Sequence, residues 1–322
     1  MGLLCLLGIT AAVFINGFTD APNAMATAVC TRAVTPKKAV LIGGACNFLG
    51  VFIMYRLNPS VSNTMASLVV LPPGSGQAVV LAALCSIALW GFGAWLCGVP
   101  TSESHGLIAG LTGGALAVFP SLTAIRVDAW VKVLKGFVIS VAFGLIAGLL
   151  CSAILALLCQ GRQRRRGERV IDGFQLFSLC CMAFLHGAQD GLKFLGAYQY
   201  VVGQIGTGSL LLVSVVMTIG TTMGGFKIIK KVGMDMVQME KYQGLASDLA
   251  ASTGLLMASL GGVPMSTSHI KTTAMVGACA TRSIKKVNFK VLGEIFQGWI
   301  YTFPVCGVLG FGLTKLFLLL PA

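Results

Sequence analysis

The chain has 322 residues, of which 56% are hydrophobic and only 10% charged, with a formal net charge of +13. A soluble globular surface needs about a quarter of its residues charged, so this inventory cannot clothe a water-facing fold. Most of the basic residues fall in short clusters between apolar runs: Arg32/Lys37/Lys38, Arg162 to Arg169, Lys227/Lys230/Lys231 and Arg282/Lys285/Lys286/Lys290. That is how cytoplasmic loops hold an orientation in a bilayer, and it excludes nucleic acid as the partner.

Ten apolar segments follow in order, 1–30, 38–57, 76–97, 104–119, 131–159, 172–203, 207–230, 243–261, 266–281 and 288–320. A bilayer crossing takes about 20 apolar residues, and most of these segments reach that length. Met1–Ile15 lacks a basic start and a small-residue cleavage site, so it reads as a mature helix and not a signal peptide. The first and sixth segments are interrupted by polar, glycine-containing stretches. The connections between the third and fourth, and between the eighth and ninth, are short enough to be turns deep in the membrane. The expected fold is an all-α polytopic membrane protein with 10–12 membrane segments. The eleven cysteines lie mostly within apolar runs, as small buried residues and not as a disulfide or metal framework.

Alternating one crossing per segment gives a topology. With 32–38 in the cytoplasm, 161–171, 231–242 and 282–287 fall on the same side, and both termini face outside. Only Arg126, Lys132 and Lys135, accompanied by Asp128, break the rule. The expected location is the cell membrane. The halves, 1–160 and 172–322 about a basic linker at 161–171, have five segments each. An odd number forces the second to insert upside down.

The duplication shows in the residues. Asn16-Gly17-Phe18-Thr19-Asp20 returns as His186-Gly187-Ala188-Gln189-Asp190, and Gly98–His105 (GVPTSESH) returns as Gly262–His269 (GVPMSTSH). Inverted repeats with interrupted helices mark secondary transporters, whose site lies at the repeat interface near mid-membrane.

Three constellations carry chemistry. Asp20 sits between apolar stretches, where a carboxylate needs a cation, a partner or water. Gly17 and Pro22 supply a break, and Asn23 and Thr27 follow with oxygen ligands. Asp20 with Asn23 makes a hard-oxygen pocket suited to sodium or a proton, although both residues also serve as N-caps of kinked helices. The second constellation is the pair of proline loops carrying Ser102, Glu103 and Ser104, and Ser266, Thr267 and Ser268. A helix start inside the membrane offers free amides and a positive dipole end, which suit an oxyanion; ordinary capping explains the same residues. His105 and His269 follow directly, as packing residues or as supporting ligands. The third is Asp248, inside an apolar run and in want of a cation partner. Asn47 and His186 are weaker polar candidates, and Lys193, one turn past Asp190, is placed to pair with it.

Asn16–Thr27 with Arg32, His186–Lys193, Pro264–His269 and the ending Gln297–Pro304 (QGWIYTFP) together resemble the signature motifs of the inorganic phosphate transporter (PiT) family. The resemblance covers nearly the whole chain. It implies inverted repeats, outward termini and symport of phosphate with sodium or protons, and no other cofactor. It also implies that Asp20, Asn23, Gln189, Asp190 and Asp248 hold the cation, with Asp20, Asp190 and Asp248 as sodium ligands. Asn23 and the loop serines and threonine would then face the anion; Thr27 joins them as an oxygen ligand beside the first break, and Glu103, at the edge of its polar loop, is either exposed or part of the site. Two positions depart from the family pattern: Gln189 replaces the usual Asn, and Leu192-Lys193-Phe194 replaces the common Gln-Lys stretch. Sulfate or another tetrahedral oxyanion is the alternative cargo, and a homodimer is left open. An intramembrane hydrolase fits poorly, because Ser104/His105 and Ser268/His269 are adjacent helical positions that diverge by about 100°.

Overall fold

The computed structural model describes residues 1–159 and 164–319; part of the basic linker and the C-terminal Ala322 lie outside these. Among the described residues the regular structure is helical, apart from two isolated bridges. The elements are α1 (Gly2–Thr19), a 3₁₀ turn (Ala21–Met25), α2 (Ala26–Cys30), α3 (Pro36–Leu57), α4 (Ser60–Ala66), α5 (Gly76–Leu96), α6 (Glu103–Val118) and α7 (Val127–Cys159). They continue as α8 (Arg164–His186), a π-helical turn (Gly187–Gly191), α9 (Leu192–Val202), α10 (Thr207–Met223), α11 (Phe226–Lys230), α12 (Lys241–Leu260), α13 (Thr267–Ala280) and α14 (Phe289–Phe317).

Each of the ten expected segments is helical. Among the described residues six helices are long and apolar enough to cross a membrane, or seven if the pair bent by 62° around α10 and α11 is one span. At 1.5 Å per residue α6 and α13 are only about 24 and 21 Å long, short of the ~30 Å hydrocarbon core. They are the inner arms of two helical hairpins, α5–α6 and α12–α13. Each hairpin turns on a glycine in the left-handed region, Gly98 at φ +70° and Gly262 at φ +62°. The amides of Val99 and Val263 reach back to Ala94 and Ala258, both at 2.9 Å, so the two turns share one helix-ending geometry.

The repeat extends to the packing. α1 lies on α5 as α8 lies on α12, α6 on α14 as α13 on α7, and α1 on α10 as α3 on α8. The bridges Val69↔Ile125 and Val237↔Val287 close the base of each hairpin in the same way. Where α6 meets α14, a Cβ on Gly113 or Gly310 would run into the backbone of the facing helix, so small residues set the close approach.

The chain is apolar outside and polar within. On α7 the exposed face carries Leu145, Ile146, Leu149, Leu150, Ile154 and Leu157, while Asp20, Glu103, Asp190, Lys193, Asp248 and Lys271 are all buried. A water-soluble fold would reverse this, because buried charges are tolerated only in pairs or at sites.

The first interruption differs in detail from the expected break. Gly17 stays inside α1, where a Cβ would clash with the Met217 backbone of α10, and the helix breaks at Asp20, just before Pro22. The second interruption is a π turn with Asp190 inside it. The hairpin prolines also sit earlier than expected. Ser102 and Ser266 are the N-caps of α6 and α13, so Pro100 and Pro264 precede the helices and do not open them.

Candidate substrate and cation site

The two hairpin tips meet. Ser102 Oγ and Ser266 Oγ, equivalent in the two repeats, are 3.0 Å apart. Ser266 also accepts from the His269 amide at 3.3 Å, capping α13. Both helix starts are buried, α13 from Thr267 through Cys279 without a gap. Two positive dipole ends therefore converge in the interior, where hydroxyls and free amides can face an anion.

The helix interruptions bring their carboxylates to these tips. Ser268 donates to Asp20 Oδ1 at 2.5 Å, and Thr267 Oγ1 lies 3.5 Å from Asp20 Oδ2 and 3.4 Å from Asp190 Oδ2. Asp190 is held on three sides. Lys193 Nζ lies 2.8 Å from its Oδ1, Asn16 Nδ2 donates to its Oδ2 at 3.1 Å, and His186 Nε2 is 3.5 Å away. The same lysine donates to Ser104 Oγ at 2.7 Å and to the Met265 carbonyl, so one buried ammonium ties the π turn to both tips. Asp20, His186 and Asp190 each offer one ligand atom, all within 4.8 Å of one another.

Glu103, on α6, is 2% exposed, and its Oε1 accepts from Thr19. Its Oε2 has no partner, and neither do Asn16 Oδ1 and Asn23 Oδ1. Buried acceptors without donors are costly, and oxygens of this kind are what a cation takes as ligands. No ion pair to Asp20 or Glu103 is found among the described residues, whereas Asp190 and Asp248 each have a lysine.

Other sequence candidates lie one step back. Gln189 is tied to the second hairpin: its Nε2 donates to Ser259 Oγ at 2.9 Å, and its Oε1 accepts from the Met265 amide at 3.1 Å. That pins the second hairpin turn. Asn47 orients His186, its Oδ1 lying 3.0 Å from Nδ1, and donates to Thr221 at 3.0 Å. His105 and His269 meet edge to face with centroids 4.4 Å apart, and His105 lies against Phe137 and His269 against Trp299. All four of their ring nitrogens lack partners among the described residues.

Thr27 and Asp248 form a separate cluster. Thr27 Oγ1 lies 2.7 and 2.9 Å from the two Asp248 oxygens, Ser178 donates to Oδ2 at 3.1 Å, and the Lys271 ammonium contacts Oδ1. The sequence pattern does not single out Lys271 or Ser178, and it places Asn16 and Thr19 in the repeated motif without giving them a role. Lys271 left a signal, since a lysine inside the apolar run 266–281 is an intramembrane charge in need of a partner.

The profile of the phosphate transporter family matches this chain twice, over residues 16–163 and 158–310. The chain belongs to that family. It is a multi-pass membrane transporter and not an enzyme. Its relatives include a probable low-affinity inorganic phosphate transporter of Bacillus subtilis, 26% identical over 92% of this chain and 91% of the relative. One from Rhizobium meliloti is 28% identical over 92% and 90% of the two chains. A solved structure described as the sodium-dependent phosphate transporter shares the fold, with a TM-score of 0.88 and 21% identity, covering 99% of each chain.

Proposed function

We propose that this member of the phosphate transporter family is a symporter that moves inorganic phosphate with sodium by alternating access. The phosphate would bind between the two hairpin tips. One observation carries the reading: the site is built of converging donors beside carboxylates that lack a fixed cation. Ser102, Ser104, Ser266, Thr267, Ser268, Lys193 and the amides opening α6 and α13 supply donors for the anion. Asp20, Asn23, Asn16 and Glu103 supply oxygens for the cation.

Charge counting supports coupling. Four buried carboxylates (Asp20, Glu103, Asp190, Asp248) stand against two buried lysines (Lys193, Lys271). Fully ionised, they leave two negative charges in a low-dielectric interior before an anion arrives. An anion then binds only with positive charge beside it. Sodium is favoured over protons because the unpartnered atoms include amide oxygens, which ligate a metal ion but do not take up a proton. The related solved structure is described as sodium-dependent.

Alternating access follows if the two repeats are inverted, with the Ser102–Ser266 contact at their shared axis. The basic loops then face the cytoplasm and the termini face outside. Labelling of a cysteine in place of Arg165 by an impermeant reagent on intact cells would overturn that orientation.

The central test is uptake of radioactive phosphate into proteoliposomes with sodium and proton gradients imposed separately. Phosphate should accumulate above its external concentration only with an inward sodium gradient. Accumulation with a proton gradient alone would reassign the coupling ion, and equilibration under both would make the protein a passive path.

A further inference from the structure

The Asp248 cluster has a feature that Asp20 and Glu103 lack: its counter-ion is part of the chain. Lys271 and Asp248 are both completely buried. Thr27 Oγ1 is within donating distance of both Asp248 oxygens and accepts from Lys271 Nζ at 3.0 Å. The ammonium is thus coordinated by one carboxylate oxygen and one hydroxyl oxygen. Ser178 supports the second carboxylate oxygen. The oxygens come from α2, α8 and α12 and the ammonium from α13, four elements meeting at one point. A compact point charge amid hard oxygens is the arrangement a sodium ion would take.

The equivalent place in the other repeat shows that the fold does not require this. At the hairpin offset of 164, Asp248 corresponds to Leu84 and Lys271 to Leu107; at the offset of 170 for the interrupted helices, Thr27 corresponds to Ala197 and Ser178 to Gly8. Leu84, Leu107 and Ala197 belong to one buried apolar cluster, and a Cβ on Gly8 would lie against Leu84. The scaffold packs that corner with hydrocarbon. A buried ion pair is commonly no more stable than well-packed apolar residues of similar volume, so packing alone does not account for the polar version.

We propose that the Lys271 ammonium is a tethered cation occupying a monovalent-cation pocket formed by Asp248, Thr27 and Ser178, and that the pocket binds sodium once the amine is removed. In the native chain Asp248 then takes no coupling ion, and exchangeable cations are confined to the Asp20 side of the site. That last consequence rests on the symport reading; the pocket does not.

The test counts radioactive sodium bound by the purified full-length protein without phosphate, comparing the native chain, Lys271→Ala and the double variant Asp248→Leu/Lys271→Leu. The double variant copies the apolar pair of the other repeat. Lys271→Ala should bind one more sodium per chain than the native protein, and the double variant should bind no extra ion. Equal counts for Lys271→Ala and the native chain overturn the proposal, as does an extra ion that survives in the double variant. Lys271→Ala that folds in sodium but not in choline supports it. Failure to fold in either salt, while the double variant folds, overturns it, because no ion then replaces the amine. A native chain that binds no sodium would end the sodium reading but leave this difference measurable.

Discussion

The two repeats solve one electrostatic problem in opposite ways. In the second, Asp190 meets Lys193 one turn later, and Asp248 meets Lys271. In the first, Asp20 is equivalent to Asp190, but the position of Lys193 is held by Asn23, whose Oδ1 has no partner. Glu103 is equivalent to Thr267 and likewise has no basic residue at hand. A carboxylate with a covalently tethered cation keeps its charge balanced throughout a transport cycle. One without must gain and lose a mobile positive charge, and that exchange is what coupling requires. On the proposed symport reading, the asymmetric charges would leave one side to structure and the other to the ion.

The largest way to break the contrast is on the fixed side. Lys193→Met leaves Asp190 buried without its ammonium, and removing one partner of a buried pair costs about 3–5 kcal/mol. The variant should unfold at markedly lower temperature in detergent. Lys193→Met with Asp190→Asn should recover most of that loss, since no charge is then stranded. A single variant as stable as the native protein would mean that Asp190 is not held by this lysine.

On the exchangeable side, Asp20→Asn should keep the fold, because the amide retains the shape and no fixed cation is left unpaired. It should lower sodium-driven phosphate uptake by roughly a hundredfold at fixed sodium, corresponding to the ~3 kcal/mol upper range for interactions with an ionised group. Native-like uptake with unchanged sodium dependence would remove Asp20 from the cation site. The comparison thus predicts opposite signatures for two equivalent residues: stability at Asp190, coupling at Asp20.

Much of this was legible in the sequence because it rests on local chemistry. The ten segments follow from apolar length, and the repeat from the two matched motifs. The hairpin turns follow from the short connections between the third and fourth segments and between the eighth and ninth. What stayed hidden depends on contacts across the repeat. Nothing near Asp248 in the chain announces Lys271, 23 residues later on the next helix, or Thr27, 221 residues earlier. Gly17 looked like a helix breaker because glycine is one by propensity. It remains helical because α10 needs its missing Cβ. Glu103 sits at the edge of a polar loop in the sequence, and only the packing of the first hairpin against α1 brings it to Thr19.

The smallest expected effect concerns Glu103, and it sharpens the comparison at the anion. Its equivalent is Thr267, so the first tip presents a carboxylate where the second presents a hydroxyl. Near neutral pH phosphate still carries a proton and sulfate does not. An ionised carboxylate beside the anion accepts a hydrogen bond from phosphate but only repels sulfate. Hydrogen bonds to charged groups contribute about 1.5–3 kcal/mol. The native protein should therefore prefer phosphate and arsenate over sulfate by at least roughly tenfold, or about 1.4 kcal/mol. Glu103→Gln keeps the side-chain shape and the reach to Thr19 while adding a donor, so the repulsion of sulfate disappears. Discrimination should shrink severalfold in competition against radioactive phosphate, mainly because sulfate inhibits better. Thr267→Ala, which removes a donor useful to either anion, should weaken both and leave their ratio near the native value. If the ratio moves with Thr267→Ala and not with Glu103→Gln, the carboxylate does not face the anion, and Glu103 belongs wholly to the cation side of the site.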